Sequence, residues 1–239
     1  MSGNLRRHFL AIAIMKSPIS PKLGVRLSQL DSMVEQRYAM IWDCCCDHGL
    51  LGMSLLQRQQ AQKLMFVDVL QPQMALLEQQ LQQRFPRQSY NWQVICQDLN
   101  QVALPAVENQ LFIIAGVGGN KTIEFIDRLC ADMAMVPFDL LLCSVHGNYA
   151  VRQALIRQGF YLRQEQILFE NKRFYEAIYV TNCRDKHPER AITATGSSMW
   201  DLHNADHRAY LDKTLQHYRK KAAANPAEFA GVVQDYERL

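Results

Sequence analysis

The stretch "DCCCDHG" at residues 43–49 decides how this sequence is read. Three consecutive cysteines between two aspartates, followed by a histidine and a glycine, suit a metal site, a redox centre, or a nucleotide-binding turn built from small residues. The flanks separate these readings. Before it, "YAMIWDCC" (38–45) is a short apolar run ending in a polar turn, the pattern of a buried strand. After it, "GLLGMSLLQRQQ" (49–60) returns to helical spacing, and upstream Leu23, Leu27, Leu30 and Val34 mark an amphipathic helix over 23–36.

The alternation continues downstream. "KLMFVDV" (63–69), "NWQVICQD" (91–98), "LFIIAGVGG" (111–119) and "FDLLLCS" (138–144) read as strands. "QPQMALLEQQLQQRF" (71–85), "NKTIEFIDRLCADM" (120–133) and "YAVRQALIRQG" (149–159) read as helices, the first with Pro72 in its opening turn, where a missing N–H is harmless. "FYLRQEQILFENKRFYEAIYVT" (160–181) reads as two antiparallel strands around the turn "ENK". Strands alternating with helices imply a parallel sheet covered on both faces. With a terminal hairpin added, the expected fold is α/β, a doubly wound Rossmann-like sheet of the class I methyltransferase type with one antiparallel strand. Past residue 182 the polar stretch "CRDKHPERAITATGSS" (183–198) reads as a linker, and the remainder as a small helical hairpin divided at Pro226. The expected division is 1–22 as an N-terminal extension, 23–182 as the cofactor-binding domain and 183–239 as a helical, substrate-binding region.

A chain of 239 residues with 49% hydrophobic content buries a full core. A net charge of +3, from 26 basic and 23 acidic residues, is too balanced to define a nucleic-acid binder, so RNA contact requires a local patch. The apolar run near the N-terminus falls short of the ~20 residues that span a bilayer, and no small-residue cleavage site clearly follows it. The extension is expected to lie outside the fold, with Met15 as an alternative initiator. Seven cysteines without a secretory signal point to reduced thiols and a cytoplasmic location, with no membrane association.

Ligands of open parallel sheets bind beyond the carboxyl ends of the strands, where strand order reverses. Asp43, Asp68 and Asp98 fall at the ends of three successive strands. Three carboxylates there suit a nucleoside cofactor carrying no phosphate, and S-adenosylmethionine fits. The rivals fare worse. Adjacent cysteines in a strand point to opposite faces, and C-x2-C is absent, so no metal is expected, although Cys44, Cys46 and His48 share one parity. G-x-G-x-x-G is missing, with only Gly49 and Gly52 available. "AGVGGNKT" (115–122) has Asn120 where a P-loop demands glycine. The cysteines read as compact substitutes for glycine in a cofactor turn.

With these positions assembled, residues 23–180 and, more loosely, the helical tail resemble the bacterial tRNA (adenine(22)-N1)-methyltransferase family, often called TrmK. The carriers are "RLSQL" (26–30), D-x-x-x-D-H at Asp43, Asp47 and His48, "IAGVGG" (114–119) and "ENKRFYEAIYV" (170–180). Cys45 stands where the family has glycine, Asp68 where it has glutamate, and "SVHGNY" (144–149) where it reads like Q-P-N, near the target base. The resemblance implies a S-adenosylmethionine-dependent methyltransferase acting on adenine N1 of tRNA. Asp47, His48, Gly116, Gly118 and Gly119 would form the catalytic centre. The cofactor would be held by Asp43, Cys44, Cys45, Asp47, Gly49, Asp68, Val69, Asp98, Leu99, Ala115 and Gly116. RNA would lie along Arg152, Lys172, Arg173, Arg219, Lys220 and Lys221, with Arg157, Arg163, Arg208 and Lys213 as further contacts. Two alternatives stay open: the same fold on another substrate, and a non-catalytic RNA-binding or cysteine-based redox or metal protein. The oligomeric state is left open.

Overall fold

Buried apolar runs bounded by turns make up the centre of the computed structural model, which describes residues 21–183 and 190–239. The expected extension and the alternative start at Met15 therefore lie almost wholly outside the described residues, as does the first part of the expected linker. Seven strands, β1 (Tyr38–Cys44), β2 (Ala61–Asp68), β3 (Trp92–Cys96), β4 (Gln110–Ala115), β5 (Phe138–Cys143), β6 (Tyr161–Glu170) and β7 (Arg173–Thr181), form one sheet in the order β3-β2-β1-β4-β5-β7-β6. All neighbours pair in parallel except β7, which runs antiparallel to both β5 and β6. Five helices connect or precede the strands: α1 (Val25–Met33), α2 (Leu50–Gln57), α3 (Gln71–Arg84), α4 (Gly119–Asp132) and α5 (Asn148–Arg157). The tail is the helical pair α6 (Ala205–Ala224) and α7 (Pro226–Glu237), broken at Pro226 as its fixed φ and missing N–H require. The fold expected from the sequence is the fold observed.

Side-chain alternation sorts the core into two layers. Ile41, Leu64, Phe66, Leu111 and Ile113 pack with α1, α2 and α3 on one face. Trp42, Met65, Val67, Phe112 and Ile114 pack with α4 and α5 on the other. The strand order reverses between β1 and β4, so the crevice beyond their carboxyl ends is where a doubly wound sheet takes its ligand.

Charge organises the β6–β7 end of the sheet. Arg152 of α5 is fully buried, its Nη1 on Glu165 Oε2 at 2.6 Å and its Nε on Glu176 Oε2 at 2.8 Å. Glu165 Oε1 accepts the backbone N–H groups of Ser197 and Ser198 at 2.6 and 2.7 Å, and Glu176 Oε1 accepts the Tyr210 hydroxyl at 2.7 Å. The later part of the expected linker is thus packed chain: Leu162 N–H donates to Arg190 O, and Ile192 and Met199 are buried. Burial disfavours the Glu165 carboxylate, but Arg152 and the two N–H groups outweigh it and hold its pKa below the usual value.

Two expected RNA contacts are corrected here. Arg152 is buried in this network, because two carboxylates compensate a charge that water would otherwise have to solvate. Arg163 pairs with Asp139 and donates to Tyr38 and Tyr179 hydroxyls at 3.0 and 3.1 Å, at the end of the sheet away from the crevice.

Arg152→Met should lower stability by about 3–5 kcal/mol, because it strands two buried carboxylates. The triple variant Arg152→Met/Glu165→Gln/Glu176→Gln should recover a large part. Urea unfolding of both proteins checks this; equal losses would show that the charges are not coupled.

Candidate functional site

The turn after β1 has a backbone few sequences adopt. Cys45 (φ 55°), Asp47 (φ 49°) and Gly49 (φ 62°) are all left-handed, two of them non-glycine. Such residues are uncommon outside strained or functional turns. Small side chains keep the turn open. The three thiols diverge. Cys44 packs in the α4–α5 layer, with Sγ 3.7 Å from the Trp42 carbonyl, while Cys46 packs in the other layer against Met74. Cys45 faces the crevice. Burial is the main cause raising all three thiol pKa values, that of Cys45 to about 12, so they stay protonated at neutral pH. Among the described residues no cluster of three His, Cys, Asp or Glu side chains is arranged to hold a metal ion.

Two cavities meet at Cys45. The first, about 220 Å³, is lined by Arg26, Asp43, Asp47, His48, Ala115 and Gly116 among others. The second, about 370 Å³, runs between Val69, Leu99, Val117 and Phe125, with Asp68, Asp98 and Lys121 on its walls. The first is mixed in polarity, and the second is mainly apolar.

The acids are held firmly. Asp43 Oδ2 accepts the Gly52 N–H at 2.9 Å. A Cβ on Gly52 would come within 2.7 Å of that oxygen and 2.4 Å of Phe66, so only glycine fits. Burial raises the Asp43 pKa to about 7, the Gly52 N–H opposing it and Asp68 adding to it. Asp68 accepts the N–H groups of Val69 and Leu70 through Oδ1 and of Asp47 through Oδ2, at 2.7, 3.1 and 3.0 Å. That fills three of about four lone-pair positions and leaves one for a ligand. Asp98 caps the following 3-10 turn through Asn100 N–H and pairs with Lys121 Nζ at 3.4 Å. Asp47 and His48 are exposed at the mouth, Oδ2 and Nε2 3.6 Å apart.

Opposite them, the loops after β4 and β5 are zippered. Gly116 N–H donates to Cys143 O, Val145 N–H to Val117 O, and Gly119 N–H to His146 O, at 3.0, 2.9 and 3.0 Å. Gly116 has φ +93°, and a Cβ there would meet only Arg26 Nη1 at 3.7 Å, so its open side faces the cavity. Gly118 and Gly119 face elsewhere: a Cβ would strike the His146 ring at 2.7 Å or the His146 carbonyl at 2.9 Å.

The structure thus brings to the cavities Asp43, Cys45, Asp47, His48, Asp68, Val69, Asp98, Leu99, Ala115 and Gly116. It does not bring four expected site residues. Cys44 is turned into the core by strand alternation, and Gly49 caps α2 behind the turn, against Leu77. Gly118 and Gly119 pack the two loops together. Of the expected RNA contacts, Lys172 and Arg173 are exposed at the β6–β7 turn and Lys220 on α6. Arg219 is paired with Glu237 at 2.7 Å, and Lys221 lies over the Phe229 ring at 4.8 Å. Sequence reasoning missed Arg26 as a site residue. Its guanidinium lies over Tyr175 at 5.1 Å, with Glu170 Oε2 3.9 Å from Nε, and its buried Nη1 makes no hydrogen bond. "RLSQL" was the only signal for it. Lys121 was missed too, having been weighed only as part of a P-loop.

A doubly wound sheet with one reversed strand, glycine-tight loops and carboxylates at three strand ends defines a nucleoside-cofactor enzyme of the class I methyltransferase type. Residues 23–178, well over half of the chain, match the family described as "Methyltransferase domain", and the protein belongs to that family. No curated protein sequence matches the chain. Among solved structures, the fold is shared with M. capricolum TrmK in complex with S-adenosyl-homocysteine (TM-score 0.69, 15% identity, 90% of this chain and 96% of that one). It is shared also with the B. subtilis M1A22 tRNA methyltransferase TrmK (TM-score 0.73, 16% identity, 91% and 98%). A more distant likeness is magnesium protoporphyrin IX methyltransferase from Synechocystis with bound SAM (TM-score 0.55, 14% identity, 66% and 80%).

Two predictions follow from the turn and its acid. Cys45→Gly should change stability by no more than about 1 kcal/mol, relief of left-handed strain offsetting the entropy of glycine. Cys45→Val should be clearly less stable than either in thermal denaturation, since a branched side chain tolerates positive φ poorly. Asp43 binds a proton more tightly folded than unfolded, so its contribution to stability falls as pH rises from about 4 to about 7. Asp43→Asn should therefore melt higher than wild type at pH 8, and the difference should shrink toward pH 5.

Proposed function

We propose that this protein is a S-adenosylmethionine-dependent methyltransferase acting on N1 of an adenine in tRNA. The observation that carries the cofactor is the pair of cavities joined at Cys45, one apolar with acids at its rim, the other ending in the unpaired Arg26 Nη1. The cofactor's chemistry, when bound, is donation of a methyl group from a sulfonium. Its adenine suits the slot between Val69, Leu99, Val117 and Phe125, beside Asp98. A ribose hydroxyl suits the acceptor left on Asp68. Arg26 would take the carboxylate of the amino-acid end and Asp43 its ammonium.

The chain's own contribution is position and field. Adenine N1 carries a lone pair, so no general base is needed, and the methylated base becomes cationic. Three carboxylates, Asp47, Asp68 and Asp98, with Asp43 ionised in part near neutral pH, face two cations, Arg26 and Lys121, around the cavities. That excess of negative charge tolerates a cationic product. Gly116 leaves backbone room for a flat base, and Asp47 with His48 at the mouth would orient it. The α6–α7 region, with Lys213 and Lys220 exposed, together with Lys172 and Arg173 at the β6–β7 turn, would hold RNA largely through phosphates.

The TrmK structures that share this fold, and the motifs shared with that family, support tRNA as the substrate. The cytoplasm fits seven cysteines that are all free, and no helix among the described residues is long and apolar enough to cross a membrane. One observation favours a different substrate on the same fold: "SVHGNY" presents His146 beside Gly118, where the family reads like Q-P-N.

Labelled S-adenosylmethionine, the purified chain and unmodified tRNA transcripts, followed by nucleoside analysis, test the reading; 1-methyladenosine is the expected product. Cofactor binding without transfer to any transcript would leave the methyltransferase and remove the tRNA. Arg26→Ala should weaken cofactor binding tenfold or more in calorimetry, with partial recovery in Arg26→Lys. Asp47→Ala should lower turnover more than cofactor affinity.

A further inference from the structure

A third cavity of about 360 Å³ lies between the β5–α5 loop, the start of β7 and the C-terminal helices. None of its lining residues belongs to the two cofactor cavities, yet it touches their walls: Arg26 lies over Tyr175, and Val145 N–H is bonded to Val117 O.

Its chemistry is specific. The rim carries the cations Arg173 and Lys213 together with His146 and His217, burial and then Lys221 and Lys220 lowering the His217 pKa, and among the described residues no carboxylate lines it. The acids nearest its floor are occupied, Asp235 by the Tyr149 hydroxyl at 2.7 Å and Glu176 by Tyr210 and Arg152. The floor is aromatic, with Tyr218 and Tyr236 stacked at 5.7 Å and Tyr149 within 6.1 Å of each. Flat rings beneath a cationic rim without acids are the combination by which proteins hold single-stranded bases and their phosphates. The volume falls in the range of small-ligand sites.

We propose that this basin binds an unpaired nucleotide of the substrate RNA adjacent to the one that is methylated. The base stacks on the Tyr218 cluster, and the phosphate is held by Arg173 and Lys213. The basin thereby joins the C-terminal helices to substrate choice, with His146 as the residue shared between the basin and the loop beside Gly118. The inference rests on the RNA-methyltransferase reading above and adds to it a second contact that selects sequence or structure around the target.

The test uses the full chain and unmodified tRNA transcripts carrying a fluorescent label. Anisotropy at several salt concentrations gives RNA affinity, calorimetry gives cofactor affinity, and single-turnover transfer is measured at saturating RNA. For the exposed-residue variant Arg173→Ala/Lys213→Ala we expect RNA binding weakened about tenfold, with the slope of log Kd against log salt reduced by roughly one to two. For Tyr218→Leu we expect a similar loss with an unchanged salt slope. In both, cofactor affinity and the single-turnover rate at saturating RNA should stay within threefold of wild type. Wild-type affinity in Tyr218→Leu overturns the basin even where Arg173→Ala/Lys213→Ala binds weakly, because those two cations alone are a surface phosphate contact. A lower single-turnover rate with RNA binding intact also overturns it, since it would make the basin the seat of the target base. Wild-type protein that binds RNA without methylating it removes the catalytic reading alone, and the variants still judge the basin. Wild-type protein that binds no RNA removes both.

Discussion

The position of the C-terminal third of this chain depends on one buried guanidinium. Arg152 reaches from α5 to Glu165 on β6 and Glu176 on β7, and the remaining oxygens of those carboxylates hold the 197–198 backbone and Tyr210 of α6. Five segments between residues 148 and 224 are thereby set by two acids and one base. A planar, five-donor group serves this better than an ammonium, because its fork meets two carboxylates at fixed angles. The arrangement gives direction more than net stability, since desolvation of three charges consumes much of their attraction. The position of α6 and α7 over the β5–α5 loop, and hence the third cavity, follows from it.

The crevice beyond β1 and β2 is organised by backbone. Left-handed residues at 45, 47 and 49 curl the chain so that Asp47 N–H reaches Asp68 and Gly52 N–H reaches Asp43. The carboxylates that border the two cavities meeting at Cys45 are therefore also the groups that hold the turn in its strained form. Structural and functional roles cannot be assigned to separate residues there, and Asp68 is the clearest case, with three backbone donors on a side chain that also borders the cavity.

Much of this was legible in the sequence because the signals are local. Buried parallel strands announce themselves as apolar runs, helices by their spacing, and Pro226 and Asn171-Lys172 by what they do to the backbone. The carboxylates at the strand ends were legible for the same reason. What escaped was decided by partners distant along the chain. Arg152 sits in a helix rich in polar residues and reads as surface until Glu165 and Glu176 are seen closing on it. Cys44 is the last residue of its strand and Cys45 the first of a left-handed turn, a boundary that a run of three cysteines conceals. Gly118 and Gly119 look like room for a ligand, whereas that room is taken by His146 and the backbone of a loop almost thirty residues on. Arg26 gains its meaning from Gly116 and Tyr175, neither of which is near it in sequence.

The backbone bonds between the loops after β4 and β5 limit how this enzyme could be re-engineered or could diverge. Because Val117 and Gly119 pair with Val145 and His146, and Gly118 and Gly119 lie flush against His146 and Gly147, the two loops are one tile of surface made from two pieces of chain. A loop transplanted from a relative into 144–149 would arrive without its matching half. The unit of exchange is the pair, 115–119 together with 143–147, so lineages that alter one are expected to carry compensating changes in the other.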